Sequence, residues 1–180
     1  MDISANEQIV NISADMQLSV RLARDSDIPA IAHVMKSCAD WLEGEGYTHW
    51  KVYQSGPKCE EDVANGKVYC AFGADRTLIA TFTIAHESPP YAKGIFEDHW
   101  EVPDATARFF KKLAVLPNFH GNGIGKGLLQ EAERISRKQG ATYMRLDINP
   151  GIPWLGDYYR ELGFEQRAEL AAGVIFEKAL

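Results

Sequence analysis

Glycines at alternate positions precede a helical pattern in the middle of the chain. Gly121, Gly123 and Gly125 follow an apolar segment that ends at Leu116. Since glycine has no Cβ, successive backbone N–H groups can converge on an anion, and the positive end of the following helix points at the same place. The spacing therefore predicts a phosphate-binding loop that a pyrophosphate would fit.

Two well-known phosphate-binding motifs do not match this loop. A P-loop needs glycine five residues before Gly125 and Ser or Thr after Lys126, but the chain has His120 and Gly127 there. A Gly-x-Gly-x-x-Gly dinucleotide fingerprint does not match either, because the residue five positions after each of the three loop glycines is not a glycine. An NTPase and a dinucleotide-binding protein are thereby excluded.

The remaining pattern resembles the acyl-CoA signature of the GCN5-related N-acetyltransferase (GNAT) family. In that signature a strand ends in Val-x-Pro and is followed by Gln or Arg, two residues, Gly, one residue, and Gly or Ala. Val115 and Pro117 match the strand end, and Gly123 and Gly125 match the loop. His120 departs from the signature, since the family usually has Gln or Arg at that position.

A second match lies downstream at Tyr159-Arg-Glu-Leu-Gly-Phe164, which is similar to the family's Tyr-x-x-Leu-Gly-Phe. Two motifs in the same order and at a similar separation are much more specific than one. The resemblance implies a single-domain α/β fold. It has a central mixed, mostly antiparallel sheet flanked by helices, and a splayed strand pair at the acyl-CoA site.

The resemblance also implies the reaction, which is transfer of an acetyl group from acetyl-CoA directly to a primary amine of a small molecule or peptide. Backbone groups of the strand would hold the pantetheine arm, and an N–H there, that of Val115, would stabilise the oxyanion. Loop amides would hold the pyrophosphate. Lys126 also fits a solvated helix residue, and Asn149 matches a family asparagine at an altered spacing. The implied cosubstrate-binding residues are Leu113, Ala114, Val115, His120, Gly121, Asn122, Gly123, Ile124, Gly125, Lys126 and Asn149.

Tyr159 matches the family's general acid, which protonates the departing CoA thiolate. A phenol has an ordinary pKa of about 10 and is protonated at neutral pH, as this role requires. Tyr158 is the neighbouring alternative, and a packing tyrosine on a short amphipathic helix is the structural alternative.

Three aromatic residues and an acid are candidates for binding the acceptor. Trp41, Tyr47 and Trp50 surround two glycines and would wall a groove or fill the edge of the core, and Glu87 starts a long loop, residues 87–106. This segment is called the aromatic loop below. The general base stays open among four acids of that loop: Glu87, Glu97, Asp98 and Glu101.

Composition narrows the class of protein. The chain has 180 residues, a net charge of −6 and no basic excess, so nucleic acid is not an expected partner. No apolar run approaches the roughly 20 residues of a membrane span, so a cytoplasmic protein without membrane attachment is expected. Three unclustered cysteines and five scattered histidines predict neither a disulfide framework nor a metal site. Acids outnumber bases between residues 38 and 104, which favours a cationic amine.

Patterning predicts how the chain is organised. Residues 1–17 are polar and aperiodic, which predicts a disordered or loosely held segment before a domain over residues 18–180. Residues 39–50 are predicted to be rich in turns. The helix after the glycine loop is predicted to end at Gly140 and to turn Glu133 to water. Strands are predicted at 19–23, 67–72, 77–85, 107–116, 142–148 and 174–177, and helices after Asp25 or Asp27, at 60–65 and at 154–162.

Two other functions fit the same residues. One is a catalytically silent acyl-CoA-binding or sensing module, in which Tyr159 only packs. The other is an acetyltransferase that acts on a partner protein, with the Trp41 to Trp50 segment and the aromatic loop as docking surfaces. The resemblance also implies a homodimer, although no segment identifies its interface.

Overall fold

The computed structural model describes residues 7–56, 58–102 and 105–180. Eight strands and four α-helices lie in this part of the chain. The strands are β1 (Gln8–Ser13), β2 (Met16–Leu22), β3 (Val68–Phe72), β4 (Leu78–Ala85), β5 (Ala107–Val115), β6 (Tyr143–Ile148), β7 (Glu165–Leu170) and β8 (Gly173–Ala179). The helices are α1 (Ile28–Gly44), α2 (Glu60–Ala64), α3 (Ile124–Lys138) and α4 (Pro153–Glu161).

The strands form a mixed, mostly antiparallel eight-stranded sheet. β1, β2, β3 and β4 pair antiparallel in chain order. β5 pairs parallel with β6, and β8 pairs antiparallel with both β6 and β7. The predicted α/β class and the mostly antiparallel sheet are confirmed, as is the hairpin of β3 and β4.

Within this fold the chain divides into two compact units, to which β4, β5 and α3 each contribute residues. The first unit contains the chain up to Thr83 together with Lys112–Glu131. Its core forms where α1 packs on β3 and β4, because α1 presents apolar residues at helical spacing. The fully or nearly buried residues of α1 are Ile31, Val34, Met35, Cys38, Ala39 and Leu42.

The N-terminal segment differs from the sequence expectation. Residues 8–13 form β1, which pairs with β2 from Gln8 opposite Val20 to Ser13 opposite Met16. Val10 is buried, although most of its neighbours in β1 are exposed. Apolar and polar residues are mixed in this edge strand and most of them are exposed, so the sequence did not indicate a strand here.

The sequence predicts a turn-rich region over residues 39–50, but a helix covers the first part of it. α1 continues to Gly44, and Gly46 then adopts a positive φ of 90°. Burial of Ala39 and Leu42 extends the apolar face of α1 through the first part of this region. The two glycines therefore mark the helix end, where a left-handed residue is common.

The second unit contains Ile84–Lys111 and Ala132–Leu180. The described part of the aromatic loop packs on its strands. Phe96 and Trp100 are buried in a cluster with Phe109 of β5 and Ile175 of β8. These aromatic residues of the loop therefore belong to the core of this unit.

Two further features of the second unit were not expected. β7 was missed because its sequence, EQRAEL, is polar and mostly exposed, as an edge strand permits. Glu133 of α3 was predicted to face water, but it is buried and pairs with Lys178 Nζ at 2.6 Å. The ion pair compensates for the burial of this carboxylate.

No helix in the described part of the chain is long and apolar enough to cross a membrane.

Candidate active site

The strand before the glycine loop contains a distortion. Lys112 in β5 has a φ of +54°, which is uncommon for a residue with a side chain. Its ammonium pairs with Asp62 of α2 at 2.7 Å. Such strain often occurs at functional positions, and here it directly precedes Leu113, Ala114 and Val115, the residues predicted to hold the acyl-CoA arm.

The end of β5 is fixed through the carbonyl oxygen of Val115. The Cys38 thiol donates to this oxygen with an Sγ–O distance of 3.0 Å, and His120 Nε2 lies 2.8 Å from it. A carbonyl can only accept, so Nε2 carries the proton that His120 donates. The Trp41 ring packs edge-on against the His120 ring, with centroids 4.6 Å apart. His120 therefore points back to the strand.

Burial raises the pKa of Cys38 to about 12, so this thiol remains protonated and donates its hydrogen. Cys70 is also buried, and its pKa is likewise raised to about 12 by burial. Cysteines in such apolar surroundings are inert.

The glycine loop leaves its backbone open to solvent. Gly121 and Gly123 have φ values of +79° and +77°, and a Cβ built on either would meet no atom within 4 Å. Asn122 closes the turn by donating from Nδ2 to the carbonyl oxygens of Phe119 and His120. The loop residues 121–123 are exposed, whereas Ile124, which starts α3, is buried.

Helix α3 is anchored below this loop. Gly127 packs so closely on β1 that an added Cβ would lie 2.5 Å from Ile12 Cδ1. The N-terminal end of α3 is thus held in place beside Gly123, and the first amides of a helix have no partner within it. Open amides at the start of a 15-residue helix suit a pyrophosphate, so the residues fit a CoA-type cosubstrate. Lys126 is exposed and remains a solvated helix residue in this structure.

Tyr159 lies in α4 and is buried among aromatic rings. Its ring contacts Tyr158, Phe164 and Phe176, with the Phe164 centroid 5.8 Å away. Burial raises the pKa of Tyr159, and Tyr158 and Asp147 raise it further, so the phenol is protonated at neutral pH. Tyr158 is half-buried, and its pKa is also raised by burial. The packing role and the proton-donor role are both compatible with this environment.

Asp147 was not identified from the sequence. It is the penultimate residue of β6, and its Oδ2 accepts a hydrogen bond of 2.7 Å from the Tyr91 hydroxyl. Burial raises the pKa of Asp147, although the bond from Tyr91 and the positive charge of Lys111 act in the opposite direction. Its position near the end of a buried strand, two residues before Asn149, is the sequence signal that could have revealed it.

The remaining predicted residues have different environments. Trp50 is half-buried and packs on the core of the first unit beside Tyr53, and Tyr47 is half-buried after α1. Glu87 is exposed. Asn149 is exposed, and its Oδ1 accepts the Gly151 amide at 2.7 Å in the turn before α4. Trp41 thus contacts His120 of the predicted cosubstrate site. Trp50 instead packs on the core, and Asn149 bonds within its own turn.

Comparisons with known proteins agree with this geometry. A model of the acetyltransferase (GNAT) domain family matches residues 79–166. The chain is 25% identical over 158 residues to the uncharacterized N-acetyltransferase YesJ of Bacillus subtilis, and the match covers 86% of each protein.

Solved structures show the same fold. A GNAT-family acetyltransferase from Listeria monocytogenes superposes with a TM-score of 0.81 at 20% identity, covering 97% of this chain and all (100%) of that one. The PaiA N-acetyltransferase of Thermoplasma acidophilum, solved with coenzyme A, gives a TM-score of 0.70 at 20% identity and covers 91% of this chain and 99% of its own. With its strand, glycine loop and helix, the segment of residues 79–166 is a GNAT acetyltransferase domain, and the protein is an acyl-CoA-dependent acetyltransferase.

Proposed function

We propose that the protein transfers the acetyl group of acetyl-CoA directly to a primary amine, and that the amine is cationic. The observation that carries this proposal is the open glycine loop, in which Gly121 and Gly123 adopt positive φ values with free space beside them. Both residues are exposed and lie directly before α3, where the helix dipole favours a pyrophosphate.

The residues of β5 and the loop have separate roles in the proposal. Leu113, Ala114 and Val115 hold the pantetheine arm through their backbone. Residues 120–126 hold the pyrophosphate through backbone amides. His120 contributes indirectly, because its ring is bonded to the Val115 carbonyl. Asn149 is proposed to contact the cosubstrate through its side chain.

Tyr159 is the proposed general acid. The CoA thiolate needs a proton as the C–S bond breaks, and a phenol whose pKa is raised by burial holds its proton until that moment. Tyr159 is chosen over Tyr158 because it occupies the tyrosine position of the Leu-Gly-Phe motif and is the more deeply buried. Its packing against Phe164 fixes the orientation of the ring.

Calorimetry with acetyl-CoA tests the loop. Asn122→Glu adds a negative charge at an exposed loop position without a change at either positive-φ glycine. Asn122→Gln, which is neutral and of similar size, controls for loss of the two hydrogen bonds that close the turn. For Asn122→Glu we expect the Kd for acetyl-CoA to rise about tenfold or more, since 1.4 kcal/mol of charge repulsion has that effect. The double variant Gly123→Glu/Gly125→Glu adds bulk and charge and should abolish binding.

Gln130→Glu is the matched control, because it adds the same charge at an exposed position further along α3. It should leave the Kd unchanged. If Asn122→Glu and Gln130→Glu bind acetyl-CoA equally well, the pyrophosphate does not sit on this loop. If the folded, intact protein binds no acetyl-CoA, the proposed reaction is wrong.

A further inference from the structure

Asp147 lies on the polar side of β6. Met144, Leu146 and Ile148 alternate with Arg145 and Asp147 along the strand, so the first three side chains point to one face and the other two to the opposite face. On that opposite face Arg145 donates to the carbonyl of Val102, and Asp147 accepts from Tyr91. Both contacts are made with the aromatic loop.

The carboxylate of Asp147 is half-buried and is contacted by a side chain that is mostly in water. Tyr91 is 58% exposed, although its hydroxyl lies 2.7 Å from Asp147 Oδ2. Gly173 leaves space on another side, because a Cβ there would lie 3.5 Å from the same oxygen. An exposed tyrosine therefore bonds to this oxygen on one side, and Gly173 of β8 lies close to it on another.

The charged and titratable groups around Asp147 come from three elements. Tyr91 approaches from the aromatic loop, Lys111 from β5 and Tyr159 from α4. Burial raises the pKa of Asp147 more than Tyr91 and Lys111 lower it. Because its pKa is raised, this carboxylate is a stronger base than an aspartate in water.

The four acids that the sequence offers as candidates for the general base are more exposed than Asp147. Glu97 and Asp98 are exposed in a short turn of the aromatic loop. Glu101 forms an ion pair with Arg167. Glu87 is exposed at the start of the loop. Because these carboxylates are exposed, they have no enclosed surface on which to orient a substrate.

We propose that Asp147 is the catalytic residue that binds the ammonium group of the acceptor and takes its proton, and that the Tyr91 hydroxyl occupies this carboxylate until the acceptor displaces it. This assignment rests on the proposed function. It names a primary alkylammonium ion as the substrate class, with no carboxylate of its own close to the amine.

The proposed reaction transfers protons between the ammonium group, Asp147 and Tyr159. One N–H proton of the ammonium passes to Asp147 Oδ2, which leaves the nitrogen lone pair free. That pair forms the new N–C bond with the acetyl carbonyl carbon, and the C–S bond breaks with its electrons on sulfur. Tyr159 supplies the proton that converts the thiolate to a thiol. The second proton that the nitrogen loses passes to the Tyr159 phenolate, and the proton on Asp147 passes to solvent, so both residues are restored.

The test measures release of the CoA thiol with dithiobis(nitrobenzoate), using acetyl-CoA and either propylamine or β-alanine. β-Alanine has the same number of carbons but carries a carboxylate. We expect a higher kcat/KM for propylamine. Asp147→Asn should reduce that value about a hundredfold or more, as loss of a general base does, without a change in KM for acetyl-CoA.

Tyr91→Phe provides a readout that a merely structural role would not change. Removal of its hydrogen bond disfavours the carboxylate form of Asp147, so the acidic limb of the kcat/KM profile should move to higher pH. Asp157→Asn, an exposed change on α4, is the matched control and should leave the profile unchanged. If Asp147→Asn keeps full activity, or if Tyr91→Phe leaves the limb in place, the proposal is overturned.

A second measurement separates this inference from the proposed function. The carboxyl carbon of Asp147 is followed by NMR through a pH titration, with and without propylammonium. Bound ammonium should lower the apparent pKa, and an unchanged titration contradicts the acceptor site. Absence of CoA release with every amine, together with an altered titration, would instead refute the acetyl-transfer reaction and leave the cation site standing.

Discussion

His120 connects the glycine loop to the strand that precedes it. The family usually has Gln or Arg here, and the structure shows that this histidine bonds to the Val115 carbonyl and packs on Trp41. The Cys38 thiol binds the same carbonyl from another side. The side chain therefore fixes the backbone that we propose to hold the cosubstrate.

Replacement of His120 should weaken cosubstrate binding moderately. His120→Ala removes one hydrogen bond, worth about 0.5–1.5 kcal/mol, and leaves the loop freer to move. We expect the Kd for CoA in calorimetry to rise by roughly two- to tenfold. His33→Ala, an exposed histidine of α1, is the control. Equal CoA affinity of the two variants would show that the imidazole does not order the loop.

At the scale of elements, a buried ion pair holds the aromatic loop on the sheet. Glu177 of β8 is fully buried and accepts from Arg145 Nε at 2.8 Å and from the Glu101 amide at 3.1 Å. Arg167 Nε lies 3.3 Å from the same carboxylate. Trp100 covers the Arg145 guanidinium, whose carbon lies 4.6 Å from the ring centroid. The position of the aromatic loop on the sheet therefore depends on these buried charges.

Removal of the Glu177 charge should loosen the loop. Glu177→Gln leaves the buried Arg145 without its counter-charge, which costs about 3–5 kcal/mol. We expect a lower urea midpoint and faster hydrogen exchange in the described part of the aromatic loop than in β3. Glu165→Gln, which removes an exposed partner of Arg167, should cost at most about 1 kcal/mol. Equal midpoints for the two variants would contradict the anchoring role.

The elements that sequence patterning located share an apolar face. α1, α3, β3 and β4 have such faces, and they are present close to the predicted positions. β7 is a polar strand whose pairing depends on backbone hydrogen bonds, so its side chains carry no periodic signal. β1 contains Ile9, Val10 and Ile12, but only Val10 is buried, so its apolar residues do not indicate which face packs. The same reasoning applies to the buried Glu133, since its partner Lys178 lies far along the chain.

The candidate site divides in a similar way. The glycine loop is visible in the sequence because its function depends on the absence of side chains at fixed spacing. The contact of Tyr91 with Asp147 joins residues 56 positions apart, so no local pattern in the sequence indicates it. The aromatic residues were harder to interpret, because rings that fill a core and rings that wall a groove look alike in a sequence. Phe96 and Trp100 proved to be core residues.

At the scale of the whole molecule, the unfolding free energy should depend on pH through Asp27. Its carboxylate pairs with the buried Arg21 at 2.7 Å and accepts the Arg24 amide, also at 2.7 Å, where β2 leads into α1. Burial raises the pKa of Asp27, but the hydrogen bonds from Arg21 and Arg24 outweigh it, and the net pKa is lowered. The unfolded chain therefore binds this proton more readily than the folded protein does.

The sign of the effect follows from that difference. The stabilising contribution of Asp27 is fully present above the unfolded pKa of about 3.9, and it is lost as the pH falls through the lower folded value. Asp27→Asn should therefore reduce the unfolding free energy by about 1.5–3 kcal/mol at pH 7, and the deficit should shrink below about pH 4. Urea unfolding from pH 7 to pH 3 measures this directly. Asp25→Asn, an exposed change two residues away, should show no such pH-dependent deficit. A deficit for Asp27→Asn that stays constant down to pH 3 would mean that the charge of this carboxylate is not what joins β2 to α1.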